Sequence, residues 1–584
     1  MERKVRARSE SAAFVGIIIA SLVLLNLLSL KMFGRVDMTK RQLFTLSDGT
    51  KRIVRGLQDQ LTITVYFTPN QPPPANDDER TLRDQLDEYR SISGGRIKVV
   101  YVAPDNDERR RQADGAGCEK APLQTVDQRQ EQATIQEVYR CIAFEYRGSR
   151  EKIAFLPPGI QGLEYELSSI IKNLSMPQAD RERTIGFLGG HGELTPDEGL
   201  QYLPQLLEQS RLSYRTRTVN LNSGESEVPT DIKGLIIMNP TQRITERELR
   251  KLDAYLMRGG SVAVFAAGAN FPTTDQFTAN GTESEHHLND WLSGYGISIQ
   301  SNVVLDLRST DAVVQIGRYR GRIKMVTWPS IDSFSGGAPS ADELRAQGGL
   351  DPSFPVTFRL PGFVMTYPSE IRVDNARRSS VGGTLKVFAM TSPRSISRTN
   401  LNIDMREILQ QGPGQFMNAT QHGPYPVGVA LEGDFRSAFA GRAEGSTEDG
   451  GAGGDASAPA LPGASNVPER ANSRARIMVL SSGNMFALDH LRTLVQMSGG
   501  QSANLQLFPN TFDWLSQDMD LLAVRAKDTS DPQIRADVSD NAKKFFKWGS
   551  LIVLPLAIAI IGFAVLSARR SRIKDLAKEF ASKG

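Results

Sequence analysis

Residues 183–193 read RTIGFLGGHGE, a short apolar run that ends in a turn with three glycines. The run predicts a buried β-strand over residues 183–188. Glycines permit the sharp turn that follows, and the pattern of residues 197–209 predicts a helix after it. A strand that turns directly into a helix is the repeating unit of a parallel α/β sheet, so this stretch predicts the fold class of the largest domain.

Strands and helices continue to alternate after this turn. The sequence predicts strands at residues 214–219, 234–239 and 261–266 and a helix at residues 245–257. This order indicates a mostly parallel sheet, covered by helices on both faces, over residues 161–310. Further strands at residues 476–481 and 521–525 indicate that the chain returns to the same α/β domain in residues 473–540, after an excursion.

A smaller α/β domain is predicted on the N-terminal side, over residues 33–160. Two strands, at residues 61–67 and 96–102, flank a helix at residues 79–89, and a second helix and a strand pair follow. This order suits a thioredoxin-like domain, here without the CxxC motif of redox enzymes. Residues 311–440 are predicted to be a β-rich irregular insertion. Residues 441–472 are predicted to be a disordered linker, because Gly, Ala, Ser and Pro dominate them without an apolar period.

Two long apolar segments, residues 12–32 and 545–568, are predicted to be transmembrane helices, since roughly 20 helical residues cross a bilayer. A cleaved signal peptide is the alternative for the first segment, but its apolar run is longer than a signal's and no small-residue cleavage site follows it. Basic residues lie in the flanks, residues 1–11 and 569–584, so both termini are expected in the cytoplasm. The protein would then be a two-pass protein of the bacterial inner membrane whose main body lies in the periplasm.

Charge and cysteine content add two expectations. The net charge of +3 is nearly balanced once the basic flanks are set aside, so no nucleic-acid partner is expected. Cys118 and Cys141, the two cysteines of the chain, lie in the part predicted to be exported, where a disulfide is permitted. Two unpaired side chains are the alternative, because spacing alone does not show that the Cβ atoms approach each other.

The glycine-rich turn is the candidate ligand-binding or structural loop, and it consists of Gly189, Gly190, His191, Gly192 and Glu193. It follows a strand at the edge where open α/β sheets usually bind ligands, and His191 with Glu193 could serve as an acid–base pair. A structural turn is the preferred alternative, so no catalytic residue is assigned. The five histidines of the chain lack metal-ligand spacing, and neither a metal nor a cofactor is expected.

Three motifs resemble the GldG-like family, the auxiliary subunits of gliding-motility-type ABC transporters. The first runs from Asp37 and Thr39 to Leu46 and Ser47 and is similar to the family pattern DxT…(Y/F)xLS. The second is the GHGE sequence within the glycine-rich turn. The third lies in residues 510–527, where NTFDWL and later LLAVRAK are similar to the ending of the family. With the two apolar segments, the resemblance covers nearly the whole chain.

The resemblance implies a non-catalytic subunit that accompanies a polytopic ABC permease and a cytoplasmic ATPase at the membrane lipid, with two copies allowed in one complex. The chain has no GxxxxGK(S/T) loop, so ATP chemistry is expected in a partner. Asp37, Thr39, Leu43, Leu46 and Ser47 form the candidate coupling segment next to the first apolar segment.

The larger α/β domain also resembles flavodoxin-like modules related to amidotransferases, which is an analogy of fold and not of activity. Two other functions stay open at this point. One is a membrane-tethered enzyme that acts through His191 and Glu193, and the other is a glycan-binding module of the cell envelope.

Overall fold

The computed structural model describes residues 45–69, 71, 75–127, 132–157, 163–177, 183–209, 214–222, 227–274, 278–316, 319–334, 339–357, 360–412, 414–417, 421–440, 469–471, 475–497, 503–517, 520–521, 524, 560, 562–563, 567–568 and 570–572. Within these residues the protein is a mixed α/β structure, which confirms the predicted class at that level. The chain divides into one unit of residues 1–334 with 338–529 and another of residues 335–337 with 530–584. The described residues of the second unit are short helical stretches in which Ile560 and Phe563 are exposed.

The segments predicted to cross a membrane fall mostly outside the described residues. This holds for all of residues 12–32 and for most of residues 545–568. It also holds for the N-terminal flank, and for the predicted linker apart from residues 469–471. Among the residues that are described, no helix is both long and apolar enough to span a bilayer. The two-pass topology therefore stays a prediction.

The N-terminal module consists of a sheet of five strands with helices around it. Its elements are α1 (Asp48–Arg55), β1 (Leu61–Phe67), α2 (Ala75–Ile92), β2 (Ile97–Val102), α3 (Asp107–Gly115), β3 (Lys120–Asp127), β4 (Gln132–Tyr146), β5 (Ser149–Ile153) and α4 (Leu163–Ser175). The strand order is β2–β1–β4–β3, with β5 also paired to β4. β1 and β2 are parallel and β4 is antiparallel to β1, so the βαβ unit, the following helix and the hairpin expected from the sequence are all present.

The second module is built around a larger, eight-stranded sheet. Its α/β elements are β6 (Arg183–Gly189), α5 (Leu203–Gln209), β7 (Tyr214–Asn220), β8 (Ile232–Met238), α6 (Glu246–Met257), β9 (Ser261–Phe265) and, much later in the chain, β23 (Arg476–Leu480), α12 (Leu488–Met497) and α13 (Ala503–Leu515). The predicted helix at residues 197–209 begins only at Leu203, and Pro204 lies in its first turn, where the missing N–H does not matter.

The chain between β9 and β23 makes the excursion. It contains β10 (Ala269–Thr274), β11 (Thr278–Glu283), α7 (Asn289–Leu292), β12 (Ile297–Ile299), β13 (Val303–Asp306), β14 (Ser309–Ile316), β15 (Tyr319–Asp332), α8 (Ala341–Gln347), β16 (Gly349–Leu350), β17 (Gly362–Val364), β18 (Ile371–Val373), α9 (Asn375–Val381), β19 (Gly382–Met390), β20 (Ser395–Arg398), β21 (Asn402–Asp404), α10 (Met405–Gln411), α11 (Gly414–Met417) and β22 (Pro426–Phe435).

Parallel strands form the centre of the larger sheet, whose full order is β16–β19–β22–β23–β9–β8–β6–β7. Along the run from β7 to β23 all neighbours are parallel. Counted along the chain, these five strands follow the order 2-1-3-4-5 that is typical of flavodoxin-like sheets. β9 and β23 are buried along their whole lengths, and their alternate side chains enter two separate cores, one on each face.

Two parts of the structure differ from the sequence-based expectation. β19 and β22, in the predicted insertion, join the larger sheet as antiparallel strands, so the sheet is mixed rather than mostly parallel. Their register shifts at several points, which hides the alternation that identifies a strand in sequence. Residues 521 and 524, which lie in the strand predicted at residues 521–525, are helical, because a short apolar run does not distinguish the two structures.

A disulfide joins Cys118 to Cys141, whose Cα atoms are 5.5 Å apart. Cys141 lies on β4 and Cys118 follows α3, and both pack with Tyr66, Ala113 and Tyr139 in a small satellite core. The bond closes a loop with a sequence separation of 23 residues, and it therefore holds the start of β3 against the sheet in addition to the strand pairing.

Removing this disulfide is expected to destabilise the N-terminal module. The double variant Cys118→Ala/Cys141→Ala should lower the free energy of unfolding by about 3 kcal/mol, because a cross-link of this length removes entropy from the unfolded chain. Thermal unfolding of the full chain, with and without reductant, measures the effect. An unchanged midpoint in the double variant, or the same shift on adding reductant to wild type and variant, would contradict it.

Candidate functional site

The glycine-rich turn lies at the carboxyl end of β6, next to the point where the strand order of the sheet reverses. Gly190 and Gly192 have positive φ angles of 106° and 72°. Side-chain-bearing residues rarely adopt such angles, so glycine is required at both positions for the chain to reverse here. The turn presents the side chains of His191 and Glu193 toward the protein interior, where both are buried.

His191 is held between two carboxyl groups. Its Nδ1 lies 2.9 Å from Glu193 Oε1, and its Nε2 lies 3.1 Å from Glu248 Oε1. The backbone N–H of His191 also donates to Glu193 Oε2 at 2.6 Å. Glu248 lies in the first turn of α6, where its Oε2 accepts hydrogen bonds from the N–H and the hydroxyl of Thr245, the N-cap residue. The turn after β6 is therefore bonded to the N-terminus of α6.

These contacts shift the protonation of both partners. Burial by itself disfavours a charged imidazole, but the hydrogen bonds to Glu193 and Glu248 outweigh burial and raise the pKa of His191 to about 9. Burial also disfavours a charged carboxyl at Glu248, yet the hydrogen bonds from His191 and Thr245 lower the pKa of Glu248 to about 2. At neutral pH, His191 is an imidazolium bonded to the Glu248 carboxylate.

The same turn closes the crevice in which flavodoxin-like sheets bind ligands. The carbonyl of His191 accepts hydrogen bonds from the N–H groups of Thr241 and Gln242, both at 2.9 Å, in the loop after β8. The two loops that would line a ligand crevice at the β6/β8 switch point are thus bonded to each other. Both ring nitrogens of His191 also have internal partners, so neither is directed at a substrate. Within the described residues, no group of three or more His, Cys, Asp or Glu side chains is arranged to hold a metal ion.

A second notable site is where the coupling segment enters the N-terminal module. Asp37, Thr39 and Leu43 lie outside the described residues, whereas Leu46 and Ser47 are described and buried. Ser47 is the N-cap of α1, as the sequence predicts, and its hydroxyl accepts the N–H of Thr50 at 3.2 Å. Leu46 packs in the core of the module with Ile53 and Val54.

Carboxyl groups of two other helices bind the backbone at this entry point. Leu46 N donates to Glu88 Oε1 of α2 at 3.0 Å, and Ser47 N donates to Glu164 Oε1 of α4 at 2.6 Å. The hydroxyl of Thr50 donates to the same Glu164 oxygen at 2.7 Å. A carboxyl group at a helix N-terminus is stabilised by the unpaired N–H groups and the helix dipole, so Glu164 fixes the start of α1 on α4.

Residues 520 and 521, which follow α13, reach the same place. Asp520 accepts hydrogen bonds from Arg52 of α1 at 2.8 Å and from Lys172 of α4 at 3.3 Å. Leu521 is buried in the same core as Leu46. Leu46 and Leu521 belong to the first and the third motif of the sequence, and the structure brings these motifs together. We call the cluster of Leu46, Ser47, Arg52, Glu164, Lys172, Asp520 and Leu521 the chain-end junction.

The third motif also links the two modules through α13. Asp513 accepts hydrogen bonds from Tyr214 of β7, at 2.6 Å, and from Tyr165 of α4. Trp514 is fully buried, and its indole N–H donates to Glu432 of β22 at 2.8 Å. α13 therefore contacts the larger sheet directly and leads into the chain-end junction.

Sequence reasoning missed the partners of these sites. No local sequence pattern identifies the partners of Glu164, Lys172 and Asp520, and tertiary packing brings each of them to its partner. Glu248 alone carries a local signal, because a Thr followed three residues later by Glu at the start of a helix is a capping box.

The stability of the His191 cluster should depend on pH in a defined direction. His191 has an ordinary pKa of 6.5 when unfolded and about 9 when folded, so its contribution, on the order of 3 kcal/mol, is complete below pH 6.5 and is lost as the pH rises through 9. The contribution of Glu248 is present above its ordinary value of 4.5 and is lost as the pH falls through about 2.

The variant His191→Gln tests this expectation, because it removes the titrating group and keeps a polar side chain. Its thermal midpoint should be lower than that of wild type at pH 6.5 and should change less between pH 6.5 and 9.5. The matched control is His422→Gln at an exposed histidine, which should follow wild type at every pH. If His191→Gln and wild type lose stability in parallel above neutral pH, the charged pair is not what holds the turn.

Two parts of the chain match models of known protein families. Residues 182–517 match the family model described as "ABC-type uncharacterized transport system", which begins at β6 and ends just after α13. Residues 40–145 match a model described as a domain of unknown function.

A Borreliella burgdorferi protein described as uncharacterized is 24% identical over 286 residues, which are 47% of this chain and 52% of that protein. The chain thus covers about half the length of this relative. A solved structure titled "mmIFT52 N-terminal domain" is 15% identical, with a TM-score of 0.31, and the similarity covers 57% of this chain and 97% of that one. Because the transport-system model matches more than half of the chain, this protein belongs to the family of auxiliary components of ABC-type uncharacterized transport systems.

Proposed function

We propose that this protein is a GldG-like, non-catalytic subunit of an ABC-type membrane complex, and that its folded body couples a permease and an ATPase to a substrate or partner in the cell envelope. In this proposal residues 12–32 and 545–568 cross the inner membrane, both termini are cytoplasmic, and the body is periplasmic. The permease and the ATPase are separate chains, and the spans contact membrane lipid. A complex with two copies of this chain fits the same arrangement.

The chain-end junction is the observation that carries the proposal. Leu46 is among the first described residues of the folded body and Leu521 among the last, and both side chains lie in one core. In the proposal, the connections to both membrane segments begin at residues that share this core. A movement of either segment would act on α1 and α4 together. Glu164 of α4 binds the backbone of Ser47, and Asp520 binds Arg52 of α1 and Lys172 of α4.

The two kinds of contact at the junction differ in strength. The Glu164 carboxyl group is buried and accepts two short hydrogen bonds, one from Ser47 N and one from the Thr50 hydroxyl. It therefore holds the start of α1 firmly. The Arg52–Asp520 pair is partly exposed, with 57% and 31% of its side chains accessible, and such pairs contribute less than about 1 kcal/mol to stability. At the junction the polar contacts of Asp520 are therefore weaker than those that hold the start of α1, which suits a joint that moves.

Purification of the full-length protein from its native membrane in mild detergent tests the proposal directly. A polytopic permease and a cytoplasmic ATPase should co-purify with it. Recovery of the chain without an ATPase would refute the subunit assignment. Recovery with envelope glycan and no ATPase would instead favour a glycan-binding role.

The variant Asp520→Ala tests the junction within that complex. Its stability should fall by less than about 1 kcal/mol, and the complex should still assemble, because the lost ion pairs are partly exposed. The ATPase rate of the purified complex should nevertheless change at least severalfold if movement passes through the junction. Asp48→Ala is the matched control, since among the described residues the ion pair of Asp48 is with Lys51, one turn along α1. An ATPase rate equal to that of wild type would rule out the coupling role.

Leu46→Asp does not test the coupling role cleanly. Leu46 is buried in the module core, so a charge there would unfold the module and would not separate coupling from stability. Leu43→Asp changes the coupling segment at a residue that precedes the described ones, and it should reduce coupling while the complex stays assembled. Unchanged ATPase rates in both Leu43→Asp and Asp520→Ala would count against any coupling through this end of the body.

A further inference from the structure

β14 and β15 form a long hairpin whose outer part belongs to no larger sheet. Residues 311–316 pair with residues 319–324, from Asp311 with Lys324 to Ile316 with Tyr319. β17 pairs with β15 only at residues 330–332, so in the described part of the chain the outer residues of the hairpin pair only with each other. A two-stranded hairpin is at best marginally stable in water unless its apolar face packs on another surface.

The register of this hairpin separates apolar residues from charged ones. Paired residues share a face and alternate residues of a strand lie on opposite faces, so each face has its own set. One face carries Ala312, Val314, Ile316, Tyr319, Gly321 and Ile323. The other carries Asp311, Val313, Gln315, Arg320, Arg322 and Lys324. Residues 318–324 read RYRGRIK, four cations in seven residues, so the charged face is basic.

The apolar face of the hairpin extends past the core that supports its base. Met325, two residues after Ile323 on the same strand, packs against the core that contains Trp328. Ile323 is partly exposed and belongs to none of the hydrophobic cores formed by the described residues. Gly321, further out on the same face, is exposed. Among the described side chains, core support for this face therefore ends at Met325.

The cations of the other face are incompletely neutralised. Asp311 is the one acid of that face, and its Oδ1 lies 2.9 Å from Lys324 Nζ. Arg322 is exposed and forms no ion pair with another described residue. α12 packs beside β14, and its Asp489 and Arg492 pair with each other, so this neighbour adds no net charge. The charged face is thus available to an anionic partner.

We propose that the hairpin of residues 311–324 lies on the surface of a bilayer that contains anionic phospholipids. Its apolar face would enter the boundary between headgroups and acyl chains, and the cations of its other face would lie among the lipid phosphates. An apolar face opposite a face rich in Arg and Lys is the pattern by which amphipathic segments bind such interfaces. Cations near an anionic bilayer surface strengthen this binding further.

An anionic bilayer fits both faces of the hairpin, whereas other occupants fit one. Packing against the hairpin of a second copy through the apolar faces would leave the cations of both copies without counter-charges. An acidic protein bound to the charged face would leave the apolar face in water. The proposal goes beyond the subunit assignment and does not depend on it, because it concerns a hairpin of the folded body and not the predicted membrane spans.

Binding of vesicles by the full-length chain tests the proposal. The chain is held in nanodiscs of phosphatidylcholine, so that residues 12–32 and 545–568 already have lipid around them if they cross a membrane. A chain that stays in solution without nanodiscs is used alone. Sedimentable vesicles of phosphatidylcholine, with or without phosphatidylglycerol, are then added. Binding to the vesicles with phosphatidylglycerol should be roughly tenfold tighter, and high salt should weaken it.

Hydrogen exchange locates the contact on the chain. Exchange at residues 311–316 and 319–324 should slow when the vesicles with phosphatidylglycerol are bound. Equal binding of both kinds of vesicle, no binding of either, or binding without slower exchange in the hairpin would overturn the proposal. A soluble polyglutamate peptide that slows the same amides as strongly as the vesicles do would also overturn it, in favour of an acidic protein partner.

Two variants with matched controls test the two faces separately. Arg322→Glu reverses one exposed charge and should weaken binding to the anionic vesicles roughly tenfold, whereas Arg111→Glu at an exposed residue of α3 should leave it unchanged. Ile323→Asn removes an apolar side chain and should weaken binding to the same vesicles, whereas Ile323→Leu keeps the apolar contact and should bind like wild type. Unchanged binding in Arg322→Glu refutes the proposal even if Ile323→Asn distorts the hairpin.

Discussion

The central sheet is completed by a strand that comes late in the chain. β23 lies between β9 and β22, parallel to the first and antiparallel to the second, so the sheet is continuous only after the whole excursion has been made. Its side chains fill both cores beside those of β9. This constraint places α13 against the sheet, and α13 in turn brings the end of the body to its beginning. Such long-range pairing is costly in chain entropy, and it is offset by burial on both faces.

The chain-end junction is a consequence of that return. Asp513 bonds to tyrosines of both modules, and Asp520 follows it to reach α1 and α4. A buried carboxyl, Glu164, holds the incoming chain, while a partly exposed ion pair holds the outgoing chain. Membership in an ABC transport family gives this arrangement a context, because it implies that the protein works with other components of the transport system. The proposed coupling role rests on the meeting of residues 46 and 47 with residues 520 and 521 in one cluster, rather than on any catalytic group.

The His191 turn shows how a motif at a ligand-binding edge can serve structure. Its imidazole has carboxyl partners on both nitrogens, and its carbonyl bonds to the neighbouring loop. The pKa of about 9 for His191 is therefore explained by partners inside the protein. Residues that titrate abnormally often mark active sites, but here the imidazolium is bonded to Glu248, and this contact connects β6 to α6.

Local features of this protein were readable from its sequence. The apolar strands, the glycine-rich turn after β6 and the Ser47 helix cap follow from periodicity and from backbone preferences that act over a few residues. The sequence did not predict which side chains these carboxyl groups would contact. Their contacts with residues of other elements join parts of the chain that are remote in sequence, as for Glu88, Glu164, Glu248 and Asp520. The place of β19 and β22 in the larger sheet was hidden by their shifted register. Which strands join, and which buried charges meet, is set by packing across the whole chain, and only the tertiary structure decides it.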